Sequence, residues 1–244
     1  MTASPAPSTL RLFVTATGTE IGKTVVTSQI VRQLRARSVA VEALKPVASG
    51  VDPGALAESD PGRILTALDR PVTEAEVDAI CPWRFAAPLA PDEAARVEGR
   101  PPLELEPIVR FCRGSNGAEV SIVEGVGGVR VPVGSRFTVI DWILGLEARA
   151  VVVGGTYLGS ISHLLSALDS LRSTGVPVAG VVLSQSAEEP MPVERTCAAL
   201  APFLDGIPLV VLPRLERPFE ELGPDLLGPL GLPGAPAVEG PGPA

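Results

Sequence analysis

Apolar positions fall into two alternating rhythms along this 244-residue chain. Short continuous apolar runs mark strands buried on both faces. They occur at Leu10–Thr15, Val39–Leu44, Val120–Val123, Ala150–Val153, Val178–Leu183 and Leu209–Leu212. Between them apolar residues recur at helical spacing. Gly22–Arg37 sets Val25, Val26, Ile30, Val31 and Leu34 on one face, with Arg32, Arg35 and Arg37 between them. Ser59–Leu68, Ala75–Ile80, Asp92–Glu98, Leu103–Cys112 and Leu158–Thr174 read as further helices, the first capped by Ser59 or Asp60. Val47–Gly54 reads as a polar, glycine-containing loop, and Pro82–Pro91 as an irregular excursion. Strands alternating with helices predict an α/β fold, a mostly parallel sheet with helices on both faces. Residues 1–9 are expected to be a disordered N-terminus, 10–226 a single domain, and 227–244 a Gly/Pro-rich flexible tail.

One junction between the rhythms carries chemistry. Phe13–Thr24 reads FVTATGTEIGKT: an apolar run, a loop of small residues, Gly22-Lys23-Thr24, then the first helix. That is the order of a phosphate-binding loop. Small residues let backbone N–H groups close on an anion, and the helix aims its positive dipole end at it. Lys23 adds a point charge, and Thr24 offers a hydroxyl to Mg²⁺. The loop lacks an early glycine, since Ala16 and Thr17 stand where one is usual. Read without a ligand, the same stretch is an ordinary strand, turn and helix.

Composition narrows the classes. Apolar residues make up 45% of the chain, enough for a sizeable core. A net charge of −8 argues against a protein that coats nucleic acid or an anionic membrane. Cys81, Cys112 and Cys197 are odd in number and lack metal spacing, so they read as free thiols of a reducing cytoplasm. His163, the one histidine, excludes paired-histidine zinc motifs. Neither a signal peptide at Met1–Thr9 nor an apolar stretch of membrane-spanning length is present, so a cytoplasmic location is expected.

In a parallel α/β sheet, ligands sit at the carboxyl ends of the strands, and the unusual polar residues gather there. The second strand ends in Lys45, with Ser49 just beyond, and the strand from Val120 ends in Glu124. A carboxylate after an apolar run is costly unless paired. Either a lysine or a cation would resolve Glu124. Asp60 reads either as a helix cap or as a second oxygen ligand.

These residues resemble the dethiobiotin synthetases, ATP-dependent carboxylases of the biotin pathway within the P-loop NTPases. VTATGTEIGKT is similar to that family's long phosphate loop. ALKPVASG, IVEGVGG and LGSISH resemble its KPVxSG, VEGAGG and LGxINH segments, in the same order. The resemblance implies closure of a cyclic urea from 7,8-diaminononanoate and CO₂, through a carbamate and a carbamic–phosphoric anhydride, with ATP and Mg²⁺ as cofactors. It implies Lys23 and Lys45 as catalytic cations. Glu20, Ile21, Gly22, Lys23, Thr24 and Val25 would hold the phosphates, and Thr24, Asp60 and Glu124 the Mg²⁺. Gly125, Val126 and Gly127 would line the nucleotide. Ser184, Gln185, Leu212, Pro213 and Arg214 occupy the places of the base loops. Thr19 and Ser49 would contact the diamine. In the family's homodimer, Gly127, Gly128, Leu158, Gly159, Ser160 and Ser162 of a second protomer complete that pocket.

The chain departs from the family at several points. Ala16 replaces the first loop glycine, where a positive φ would be disfavoured. Ala90-Pro91-Asp92 stands for Ser-Pro-His, Ser162 for an asparagine, and Ser184 for the adenine-reading asparagine. Base recognition then either shifts to Gln185 or relaxes. The alternatives are a partitioning or assembly ATPase and a degenerate, non-catalytic relative. The partitioning type favours an extra early lysine, which Ala16–Ile21 lacks.

Overall fold

The computed structural model describes residues 9–114 and 117–235. Most of the N-terminal segment expected to be disordered, and the last nine residues of the expected tail, lie outside them.

In chain order the elements are β1 (Leu10–Ala16), α1 (Lys23–Ala36), β2 (Val41–Leu44), β3 (Val47–Ser49), α2 (Asp60–Ala67), α3 (Glu74–Ile80), β4 (Trp83–Phe85), α4 (Pro91–Val97) and α5 (Leu105–Arg113). There follow β5 (Val120–Glu124), β6 (Pro132–Gly134), β7 (Phe137–Thr138), α6 (Val139–Leu146), β8 (Arg149–Gly154), α7 (Ser160–Ser173), β9 (Val178–Ser184), α8 (Val193–Leu200) and β10 (Leu209–Leu212). The predicted α/β class is the observed one. Six parallel strands run in the order β10-β9-β8-β1-β5-β2. β1 sits between β5 and β8, with Val14 opposite Glu124 and Val151. Its carboxyl end therefore lies at the middle of the sheet edge, where strand order reverses and ligands bind.

β1, β5 and β8 read as apolar runs because both faces are covered: Leu12–Val14, Val120–Val123 and Ala150–Val153 are all buried. α6 packs Trp142 edge-on against Phe13, centroids 5.0 Å apart, behind the strand that leads into the phosphate loop.

Three stretches depart from the sequence expectation. Val47–Gly54 is not simply a polar loop: Val47 and Ala48 are buried, and β3 pairs in parallel with β4. Pro82–Pro91 likewise holds β4, so its prolines flank a short strand. The domain does not end at 226. Leu226, Leu227, Leu230 and Leu232 are buried, and Leu230 seats against Gly180 of β9, where a Cβ would collide with it. Glycine and proline around these leucines concealed a last piece of core. Among the described residues, no helix is long and apolar enough to cross a membrane.

Cys81, Cys112 and Cys197 are free thiols. Burial pushes Cys81 and Cys112 up to about 12, which keeps them protonated and inert.

Candidate functional site

The phosphate loop turns into α1 at Gly22, whose φ of +98° is open to glycine alone at little strain. A side chain there would also meet Ser184 Oγ at 2.5 Å, so β9 buttresses the loop from the far side. Ala16 behaves differently from the expectation. It is the last residue of β1, paired with Val153 in extended backbone, and is not among the described residues with positive φ. The turn begins after it, so alanine carries no conformational penalty at that position.

Two strand carboxyl ends and one helix amino end deliver charge to one point. β2 hands on to Lys45, β5 ends in Glu124, and α2 begins with Asp60. Lys45 is 2% exposed and Glu124 fully buried, an ion pair at 2.8 Å. Lys45 Nζ also donates to Gly125 O at 2.6 Å and pairs with Asp60 at 3.3 Å. Ser59 accepts from Gly62 N and so serves as the α2 cap, which leaves the Asp60 carboxylate free to face α1. Lys23, 7% exposed, donates to Gly18 O at 2.9 Å.

Thr24 Oγ1 lies 2.7 Å from Asp60 Oδ1 and 2.9 Å from Glu124 Oε1. A hydroxyl has one proton and can donate to only one of them. The other approach sets two oxygens together with no hydrogen between them. Glu124 Oε2, also buried, has no partner among the described residues. Two carboxylates and a hydroxyl with more lone pairs than protons fit a hard divalent cation, and a Mg²⁺ that also takes phosphate oxygens needs no more from the protein. Of the two partners the sequence allowed Glu124, the lysine is the one observed, at Oε1.

Electrostatics separates the two lysines. Burial disfavours charge on Lys45, yet Glu124 and Asp60 outweigh it and hold the group above its ordinary value. It is therefore a fixed cation. Burial, helped by the Lys45 charge, lowers Lys23 to about 8 against the weaker pull of Glu124 and Asp60. Burial would raise the Asp60 carboxyl, but Lys45 and the Thr24 hydroxyl keep it below the usual carboxylate value.

A cavity of about 780 Å³ opens over this cluster. Of the residues expected at a nucleotide or cation site, Glu20, Gly22, Lys23, Thr24, Val25, Asp60, Val126 and Gly127 line it, as does Lys45. Of those expected on the diamine, Thr19 and Ser49 do, and the buried Ser49 Oγ has no partner among the described residues. Glu124 and Gly125 lie just beneath, joined to it through Lys45. Ile21, Gly128, Leu158, Gly159, Ser160 and Ser162 do not line it. Neither do Ser184, Gln185, Leu212, Pro213 and Arg214, which form a separate group at the ends of β9 and β10. There Gln185 Nε2 donates to Glu189, and Gln185 Oε1 accepts from Arg214 N. Both ends of that amide are occupied. Sequence reasoning missed a further part of the wall, made by Gly50, Pro88, Leu89 and Ala90. The signal was present: apolar Pro88 and Leu89 stand in a stretch otherwise read as loop.

The chain is similar to known proteins along most of its length. The AAA domain family matches residues 10–216. The ATP-dependent dethiobiotin synthetase BioD of Acidiphilium cryptum (strain JF-5) is 45% identical over 80% of this chain and 89% of its own. That of Caulobacter sp. (strain K31) is 44% identical over 84% and 88%. Among solved structures, the septum site-determining protein MinD of Pyrococcus horikoshii OT3, complexed with Mg-ADP, superposes with a TM-score of 0.53 at 16% identity, covering 88% of this chain and 87% of that one. A ParA family ATPase from Chlorobium tepidum TLS gives 0.52 at 12% identity, covering 88% of each. At such identities these two share the fold alone. Sequence identity and coverage together place the chain in the ATP-dependent dethiobiotin synthetase family.

Proposed function

We propose that the protein is an ATP-dependent dethiobiotin synthetase that carboxylates 7,8-diaminononanoate with CO₂ and closes the ureido ring, releasing ADP and phosphate. The observation that carries this reading is the gathering of Lys23, Lys45, Thr24 and Asp60 on one cavity, with Glu124 beneath. Family membership supports it.

The chemistry asks for positive charge more than for an acid or base. One amine takes up CO₂ as a carbamate. A carbamate oxygen attacks the γ-phosphorus, ADP departs, and a carbamic–phosphoric anhydride remains. The second amine attacks the carbonyl carbon and loses a proton, phosphate leaves, and the ring is closed. The first attack brings an anion onto an anion. Lys23 and Lys45, at one end of the cavity, lower that repulsion, and preorganised charge of this kind dominates phosphoryl transfer. Lys45 stays charged throughout and serves as an electrostatic clamp. Loop amides and Lys23 hold the phosphates. Thr24, Asp60 and Glu124 would hold Mg²⁺, which supplies further charge neutralisation at the phosphate oxygens when bound. Thr19 and Ser49 orient the diamine head, and Pro88 and Leu89 give its aliphatic chain an apolar wall. Ser184, Gln185 and Leu212–Arg214 receive the base.

A homodimer completes the pocket in this reading. Leu158 is 85% exposed ahead of α7, an unusual place for a large apolar side chain, and suits contact with Gly127 and Gly128 of a second protomer. Three free thiols suit a cytoplasmic location.

The test is phosphate release from ATP with Mg²⁺, bicarbonate and the diamine. Release that depends on the diamine is expected; none above the no-diamine control would refute the assignment.

A further inference from the structure

Two glutamines on α1 are buried, Gln29 completely, on the face that otherwise carries Val26, Ile30 and Leu34. A buried amide is costly unless every group is bonded. Both are satisfied by one partner, the backbone that follows β10. Gln29 Nε2 donates to Pro218 O and Glu221 O at 2.9 and 2.8 Å, and its Oε1 accepts from Gly223 N. Gln33 donates to Pro224 O and accepts from Leu226 N. Arg32, also on α1, donates to Phe219 O at 2.7 Å. The Phe219 ring lies under the guanidinium of Arg63, 4.6 Å away, and Arg63 belongs to α2, three residues after Asp60. The segment therefore grips α1 with its backbone and α2 with a side chain. It begins where the match to the AAA domain family ends, at residue 216.

We infer that residues 217–226 are a positioning strap that sets the spacing of α1 against α2, and through it the approach of Asp60 to Thr24. This rests on the proposed reading of those two residues as cation ligands. Thr24 is on the first turn of α1 and Asp60 opens α2, so their 2.7 Å contact spans the two helices. Lys23 and the phosphate loop travel with α1 alone. A change in helix spacing therefore disturbs the cation pair and spares the phosphate cradle. Phe219 and Arg63 act as positioning residues, with no contact to the site themselves. A strap that only covered apolar surface would contribute to stability and leave metal dependence alone.

The test measures ADP binding by calorimetry across a Mg²⁺ series, in the full chain. Phe219→Ala is expected to raise the Mg²⁺ concentration for half-maximal enhancement of ADP binding about tenfold, the lower end of the range for outer-shell changes. ADP affinity without metal should stay within about twofold, since no phosphate contact is touched. Phe219→Tyr, which keeps the ring, should restore the wild-type titration. Arg63→Gln approaches the same contact from α2 and should reproduce the shift, so the test does not depend on one variant folding. Equal loss of ADP affinity with and without Mg²⁺, or an unmoved titration in both variants, overturns the strap. Asp60→Asn separates the two readings. If it shifts the Mg²⁺ titration and Phe219→Ala does not, the strap alone is wrong; if Asp60→Asn shifts nothing, the cation site itself is misplaced and the strap's role goes with it.

Discussion

The two halves of the sheet edge are built on opposite principles. At the ends of β1, β2 and β5, Lys23, Lys45 and Glu124 are drawn together at 7% exposure or less with the half-exposed Asp60 beside them, and Lys45 touches both carboxylates. At the ends of β9 and β10, the half-buried Gln185 ties the loops together by hydrogen bonds alone, donating to Glu189 and Leu212 O and accepting from Arg214 N. Under the proposed function the first half is the one that handles charge changing during reaction, desolvated, so that each interaction is strong and each loss severe. The second is the one proposed to meet a base that does not react, where partners can be exchanged at little cost.

The contrast fails first if Lys45 proves dispensable. Lys45→Ala should cut turnover about a thousandfold while ADP binding changes only a few-fold, as expected for charge that matters at the reacting groups. It should also lower thermal stability, because Glu124 is left buried and unpaired, a change worth about 3–5 kcal/mol. Normal turnover would remove Lys45 from the chemistry. Next in size is Gly22→Ala, which combines a φ of +98° with a contact against Ser184. ADP affinity should fall by about 10-fold or more, given strain of roughly 1–3 kcal/mol, and calorimetry would detect it. Glu124→Gln should raise the Mg²⁺ requirement of turnover about tenfold; an unchanged metal titration would take Glu124 out of the cation site.

The fourth prediction concerns pH. The folded protein sheds the Lys23 proton near pH 8, whereas the unfolded chain keeps it until about 10.5. Between these values the unfolded state binds more protons, so this group adds stability to the ligand-free protein as pH rises. ADP affinity moves the opposite way, because the cation facing the phosphates is lost. Melting curves and ADP titrations from pH 7.5 to 10 should diverge in the wild type and not in Lys23→Met. The smallest effect is expected on the neutral side. Gln185→Ala should weaken nucleotide binding about two- to tenfold, the range of one or two ordinary hydrogen bonds, with the Mg²⁺ requirement unmoved.

The charged half was also the legible one. Lys45 and Glu124 each follow an apolar strand in sequence, so topology alone carried them to the same edge as Gly22-Lys23-Thr24. The fold was legible wherever an apolar run was short and bounded. It was not legible at α6, where Val139–Leu146 is apolar nearly all round and shows no helical face, although Thr138 and Asp141 form a capping box. α8 escaped as well, its eight residues short and mixed. Gln29 and Gln33 carry no local sign of their burial, since only the returning chain, some 190 residues later, buries them. No local pattern reports a partner that distant.

The β3–β4 ribbon belongs to its own two-stranded sheet, outside the six-stranded one. Its far end leads directly into Pro88, Leu89 and Ala90. The rim proposed to meet the organic substrate is therefore hung on an appendage, while the charges proposed to act in catalysis are anchored in the main body. Insertions or exchanges after Phe85 could lengthen or reshape the chamber without shifting the register of any strand that carries a lysine or carboxylate. The architecture leaves the choice of diamine open to evolution, or to an engineer, independently of the machinery that activates it.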